Sequence, residues 1–214
     1  MDDTSGSLNT VFRRMFDAYG PQHWWPGETR DEIIIGAVLT QNTNWGNVEK
    51  AITALREQNC LTLGSVLAMN PVALSEAIRP TGYHRLKAGR LQRTAEAILN
   101  TPGFPGRNAR AELLAVNGVG PETADSILLY AFGLPQFVVD AYTKRIFSRL
   151  GMIDSQAGYH DIQNMFIRHL PEDVPHYNEY HALIVHLGKT TCRPRPVCTD
   201  CCLADLCPRK GVEA

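Results

Sequence analysis

The chain has 214 residues, 44% of them hydrophobic, with 21 Lys and Arg against 22 Asp and Glu for a formal net charge of −1. That length and apolar share suffice for a globular core, arranged as one domain or two closely packed small ones. The near-neutral balance excludes bulk attraction to a polyanion, so any nucleic-acid role must rest on local basic clusters.

Residues 1 to 20 mix Asp2, Asp3, Arg13, Arg14 and Asp17 with isolated apolar residues, a pattern of neither a secretory signal nor a membrane span. Of the six cysteines only Cys60 lies outside a C-terminal group, which predicts a reducing cytoplasm, bacterial or archaeal. Nearly every segment reads as a short amphipathic helix, and none shows strand alternation, so the expected class is all-α. Thr29 with Glu32 predicts a capping box for a helix carrying Ile33, Ile34, Ala37 and Val38, and Val48, Ala51, Ile52 and Leu55 form the stripe of an adjacent antiparallel helix. Asn70-Pro71 pairs an N-cap with proline at the first helical position, and Leu91, Ala95 and Ile98 place another helix after Gly82. Pro102, Gly103, Pro105 and Gly106 mark the clearest loop, with no flexible linker and no internal repeat.

Leu113 to Val116 ends the next helix, Asn117-Gly118-Val119-Gly120 turns the chain, and Pro121 opens a helix bearing Ala124, Ile127, Leu128 and Ala131. Two glycines around a small apolar residue permit positive φ and close approach of backbone N–H groups to a phosphate, which grips DNA without reading sequence. A plain helix–helix turn is the simpler account of the same residues. Further on, Phe137-Val138-Val139-Asp140 runs into a helical segment through Leu150, with Asp140 at the junction, where a carboxylate is ordinarily an N-cap worth about 1 kcal/mol.

Near the C-terminus, Cys192, Cys198, Cys201 and Cys207 are spaced Cys-x5-Cys-x2-Cys-x5-Cys. Four thiolates in one loop suit a [4Fe-4S] cluster, a closed tetrahedral zinc site is the competing arrangement, and Cys202 adds a register ambiguity. His181 and His186, five apart, read as packing or capping residues rather than metal ligands.

Taken together, Leu39-Thr40-Gln41-Asn42-Thr43, Val116-Asn117-Gly118-Val119-Gly120-Pro121-Glu122-Thr123-Ala124-Asp125, and Val138-Val139-Asp140 followed by the cysteine loop resemble the endonuclease III family of helix-hairpin-helix DNA glycosylases, the HhH-GPD superfamily. The resemblance spans roughly residues 25 to 207. It implies two helical domains with the DNA cleft between them: a six-helix domain at 25–133 with the hairpin, and a second from 1–24 and 134–214 carrying the cluster. It also favours a [4Fe-4S] cluster on Cys192, Cys198, Cys201 and Cys207 over zinc, although endonuclease III itself has six residues between the first two ligands rather than five.

By the same resemblance Asp140 is the catalytic carboxylate, Gln41 fills the gap left by a flipped nucleotide, and Gln41, Asn42, Gly118, Val119 and Gly120 contact DNA. Bifunctional members carry a Schiff-base lysine where this chain has Glu122, which cannot form an imine, and Lys144 one turn beyond Asp140 more naturally meets a phosphate or solvent. Adenine-removing relatives have a glutamate where Gly36 stands. Trp24-Trp25-Pro26 and the segment through Trp45 look most like the endonuclease III-related subgroup that includes 3-methyladenine glycosylases. A cationic alkylated purine could stack on Trp24, Trp25 or Trp45 once flipped; core packing is the simpler account of each tryptophan.

Arg85, Lys87, Arg90 and Arg93 on one helix start, with Lys189, Arg193 and Arg195 around the cysteine loop, are the candidate phosphate contacts, though each also reads as part of a solvated face. The expectation is a monomeric, monofunctional DNA glycosylase acting on double-stranded DNA with a flipped damaged base, an alkylated purine, with no membrane partner. The alternatives are an oxidised-pyrimidine glycosylase with AP lyase activity, or a non-catalytic structure-specific DNA-binding protein.

Overall fold

The computed structural model describes residues 4–24 and 27–212. Asp2, Asp3, Trp25 and Pro26, singled out above, lie outside the described residues. The helices in chain order are α1 (Thr4–Tyr19), α2 (Arg30–Leu39), α3 (Trp45–Glu57), α4 (Leu63–Ala68), α5 (Pro71–Ala77), α6 (His84–Asn100), α7 (Ala109–Ala115), α8 (Pro121–Ser126), α9 (Ala141–Arg149), α10 (Tyr159–His169) and α11 (Val174–Thr190). No strand occurs among the described residues, so the fold is all-α. The chain divides into two compact units, one of residues 25–134 and one of residues 1–24 with 135–214.

The unit of residues 25–134 has an aliphatic core. Ile34, Val38 and Leu39 of α2, Val48 and Leu55 of α3, Leu74 of α5 and Leu91 of α6 are fully enclosed, because each recurs at helical spacing on one face. Caps set the entry of several helices: Thr29 accepts from the Glu32 N–H at 3.1 Å, and Asn70 Oδ1 accepts from the N–H of Val72 at 2.9 Å. The expected reciprocal half of the Thr29 box is replaced by an ion pair, in which Arg56 of α3 donates to both Glu32 carboxylate oxygens at 3.1 Å. A carboxylate at N3 serves the fold better there by joining two helices than by capping its own.

The helix expected from Pro121 to Ala131 is α-helical only to Ser126, and Ile127–Ala131 widens into a π-helical turn. Arg110 of α7 clamps Asp125 of α8 with two bonds of 2.7 and 3.0 Å, and Asp125 is wholly buried. The hairpin is thus held by an ion pair as well as by apolar packing.

The second unit is built on aromatic side chains. Phe137 stacks on Phe166 with centroids 3.9 Å apart and an 8° tilt, while Phe147, Tyr177 and Tyr180 meet them edge-on. The Tyr180 hydroxyl donates to the Leu8 carbonyl at 2.8 Å, fastening α1 to α11. Gln163 donates to the Phe137 carbonyl at 2.9 Å and so fixes the extended segment that leads into Asp140.

Candidate active site and nucleic-acid interface

In the unit of residues 25–134 the hairpin is shaped by backbone chemistry. Gly118 has φ +94°, and a Cβ there would lie 2.5 Å from Arg90 Nε, so the backbone conformation favours glycine and a side chain would have to displace Arg90. Gly120, expected to share that freedom, has φ −92° and serves as N-cap of α8, a conformation open to any residue. Its would-be Cβ meets nothing within 4 Å, which leaves the backbone open to close approach from outside. Val119 is buried and anchors the turn, while Glu122 is exposed in the first turn of α8.

Gln41 joins this hairpin. Its Nε2 donates to the Gly118 carbonyl and to Thr123 Oγ1, each at 3.0 Å, and its Oε1 accepts from Arg90 at 2.8 Å. Arg93 donates to the Asn117 carbonyl at 3.2 Å. Two of the four basic residues at the start of α6 therefore hold the hairpin rather than standing free. Asn42 follows, exposed and left-handed at φ +53°.

Lys87, expected at a phosphate, is corrected by the structure: it is 1% exposed and donates to the carbonyls of Leu39 at 2.9 Å and Thr81 at 2.7 Å. The Leu39 carbonyl lies at the C-terminal end of α2, where intrahelical partners run out, and the ammonium supplies the donor. Burial, with the nearby Arg90 charge, lowers the Lys87 pKa to about 8. Trp45 packs partly buried on the aliphatic core. Gly36 lies buried within α2. Sequence reasoning missed Tyr83, which is 69% exposed with φ +47° immediately before α6. A large aromatic ring held outward in left-handed backbone is unusual, and the Gly82-Tyr83 pair beside basic residues was its only signal in the sequence.

In the other unit Asp140 is the N-cap of α9. Its Oδ1 accepts from the Thr143 N–H at 2.7 Å and the Thr143 hydroxyl at 2.9 Å, so the capping account holds for that oxygen. Its Oδ2 points to His181 Nε2 at 3.6 Å. Burial alone would raise the carboxyl pKa, but the His181 contact and the two Thr143 bonds outweigh it and hold the group below its ordinary value. His181 is 5% exposed, and its ring centre lies 5.5 Å from that of Trp24. The expectation of a bland packing histidine missed this pairing. A histidine on the otherwise apolar face of α11 was the available signal. Lys144 is half-buried and donates to the Ala157 carbonyl at 3.0 Å.

The helix that Asp140 opens also grips the cysteine loop. Arg145 donates to the carbonyls of Cys192 at 2.8 Å and Gly188 at 2.9 Å. Arg149 donates to Cys192 Sγ at 3.3 Å and to the carbonyls of Arg193 at 2.7 Å and Pro194 at 2.9 Å. Cys192, Cys198, Cys201 and Cys207 are half-buried and free of disulfides. Burial raises the Cys207 pKa, the Arg209 N–H pulls it back, and the charges of Cys192, Cys201 and Cys198 raise it further. Thiols that repel one another when ionised, with a guanidinium donating to one of them, fit a donor set for a cationic centre. Among the described residues no three His, Cys, Asp or Glu side chains gather as the site of a single metal ion. No helix among the described residues is long and apolar enough to cross a membrane.

Residues 35–172 match the family model described as HhH-GPD superfamily base excision DNA repair protein. A Methanocaldococcus jannaschii protein named as a candidate DNA repair glycosylase is 46% identical over 209 residues, covering 94% of this chain and 95% of that one. Endonuclease III of Sulfolobus acidocaldarius is 33% identical over 190 residues, covering 85% and 83%. Among solved structures, a non-covalent endonuclease III–DNA complex superposes with a TM-score of 0.85 at 23% identity over 96% of this chain and 95% of that chain. The Helicobacter pylori 3-methyladenine DNA glycosylase bound to 1,N6-ethenoadenine gives 0.71 at 26% identity over 88% and 98%.

Proposed function

The chain belongs to the HhH-GPD superfamily of base excision repair DNA glycosylases, and within it we propose a monofunctional enzyme that hydrolyses the N-glycosidic bond of a flipped alkylated purine in duplex DNA. The observation that carries this reading is Asp140, a carboxylate with only 11% of its side chain exposed, one oxygen fixed by its own helix and the other directed away from the cap, and its pKa held below the ordinary value. An ionised, dehydrated carboxylate stabilises the oxocarbenium-like charge that develops on the sugar and can accept a proton from the attacking water.

Glu122 supports hydrolysis without a Schiff base, because a carboxylate offers no amine, and Lys144 is engaged with a backbone carbonyl. An N-alkylated purine is cationic and leaves readily, so it needs little acid catalysis, and the Trp24 ring beside the Asp140–His181 pair provides an aromatic face for such a base. The Gly118–Gly120 backbone, exposed Asn42 and exposed Arg193 and Arg195 supply the phosphate grip, and Tyr83 supplies an exposed aromatic surface for a DNA base to stack on. Gln41 would have to exchange its hairpin bonds to enter the duplex. Cys192, Cys198, Cys201 and Cys207 would hold a [4Fe-4S] cluster, whose contribution is to cross-link and fix the loop that bears Arg193 and Arg195.

The relatives named endonuclease III favour a second reading, an oxidised-pyrimidine glycosylase with AP lyase activity. Borohydride trapping on abasic duplex DNA separates the two. The monofunctional reading expects no covalent protein–DNA complex, and a trapped complex overturns it.

A further inference from the structure

Asp140 Oδ1 is committed to the cap of α9, which leaves Oδ2 as the oxygen for chemistry, and Oδ2 faces His181 Nε2 at 3.6 Å. Packing alone does not explain a histidine here. The position is 5% exposed on a helix whose neighbours Ala182, Leu183 and Ile184 are apolar, and a leucine would fill it without desolvating a ring nitrogen. Trp24 lies against the imidazole and restricts how its ring can turn. Several other ionisable side chains on the helices that carry the pair are engaged elsewhere. On α9, Lys144 donates to Ala157, while Arg145 donates to Cys192 and Gly188. On α11, Glu179 accepts from the Gln22 N–H at 2.7 Å, and His176 and His186 lie against Phe12 and Tyr19. From α10, the Tyr159 hydroxyl meets the Val139 N–H at 3.5 Å.

We propose that His181 is a positioning residue for Asp140, holding Oδ2 in one orientation, with Trp24 packed against the imidazole. His181 acts through the carboxylate and not on the DNA. The proposal rests on Asp140 being the catalytic group, but part of its test does not. The first measurement is the carboxyl titration of Asp140 by 13C NMR in protein labelled at aspartate, the resonance being assigned by its loss in Asp140→Asn. In His181→Leu the titration should move up by more than one pH unit, since burial is then opposed only by the Thr143 bonds, and His181→Gln should restore part of the shift by hydrogen bonding.

The second measurement is single-turnover base release from 3-methyladenine duplex against pH. His181→Leu should lower the rate at least tenfold and move the acid limb upward by the same interval, with duplex affinity within twofold of wild type. An unchanged Asp140 titration in both folded variants overturns the proposal whatever the enzyme's substrate. A wild-type protein that releases no base, with the titration shifted as expected, overturns the functional reading and leaves the pairing intact.

Discussion

The two units solve the same packing problem with different chemistry. Residues 25–134 bury aliphatic side chains that recur at helical spacing, and their two carboxylate ion pairs, Arg56 to Glu32 and Arg110 to Asp125, join helices near in sequence. Residues 1–24 and 135–214 bury stacked aromatic rings, and Arg145 and Arg149 staple a loop more than 40 residues away, with |i−j| of 43 to 47. The first unit's stability rests on aliphatic burial and on ion pairs between its own helices. The second contains thiols, guanidinium donors and a carboxylate enclosed by Thr143 and His181, so its packing involves groups whose ionisation matters.

That contrast can be broken at defined places. The largest stability loss should come from Arg110→Ala, which leaves the fully buried Asp125 carboxylate without its bidentate partner and should cost about 3–5 kcal/mol in urea denaturation. If the cost is below about 1 kcal/mol, the ion pair is dispensable and apolar packing with the Gln41 and Arg93 bonds holds the hairpin. Arg145→Ala strips a donor from the Cys192 carbonyl of the cysteine loop and from the Gly188 carbonyl in the last turn of α11, and should cost about 1–3 kcal/mol. Because the loop is also the proposed cluster site, iron content per chain should fall in this variant and stay at wild-type level in Arg110→Ala. Equal iron loss in both would show that the two units do not differ as described.

A smaller effect is expected at the hairpin. Gly118→Ala forces a side chain into φ +94° and against Arg90, costing about 1–2 kcal/mol and weakening binding to undamaged duplex, whereas Gly120→Ala should leave stability nearly unchanged while still weakening DNA binding. The mildest signature is a pH slope. Lys87 has a folded pKa of about 8 against an ordinary 10.5, so between those values the unfolded chain binds more protons and stability rises with pH. The penalty is fully present below about 8. Lys87→Met should flatten the rise between about pH 8 and 10.5 in urea titrations, and an unchanged slope would assign it to another group.

The helices were legible because their signals are local. Thr29, Asn70 and the apolar stripes of α2, α3 and α6 act within a few residues, as does the glycine at 118. What the sequence concealed was long-range exchange of polar partners. Glu32 abandons its capping box for Arg56, Lys87 is withdrawn from the surface by the Leu39 and Thr81 carbonyls, and Gln41 is engaged by residues 49 to 82 positions away. His181 was the largest omission: a histidine spacing can be tested for metal binding from sequence alone, but its partner here is a carboxylate 41 positions earlier, supplied by the packing of α9 on α11. Trp24 and Trp45 look alike in sequence and diverge in the structure, one beside that pair and the other on the aliphatic core.

The most direct test of the account is base release from duplex DNA containing 3-methyladenine, 7-methylguanine, uracil or thymine glycol, comparing wild type with Asp140→Asn. The variant keeps an N-cap residue and should fold and bind DNA. Wild type should release a methylated purine and leave an uncut abasic strand, while the variant's rate falls at least about 100-fold. Release of thymine glycol with strand cleavage, or undiminished release by Asp140→Asn, would contradict it.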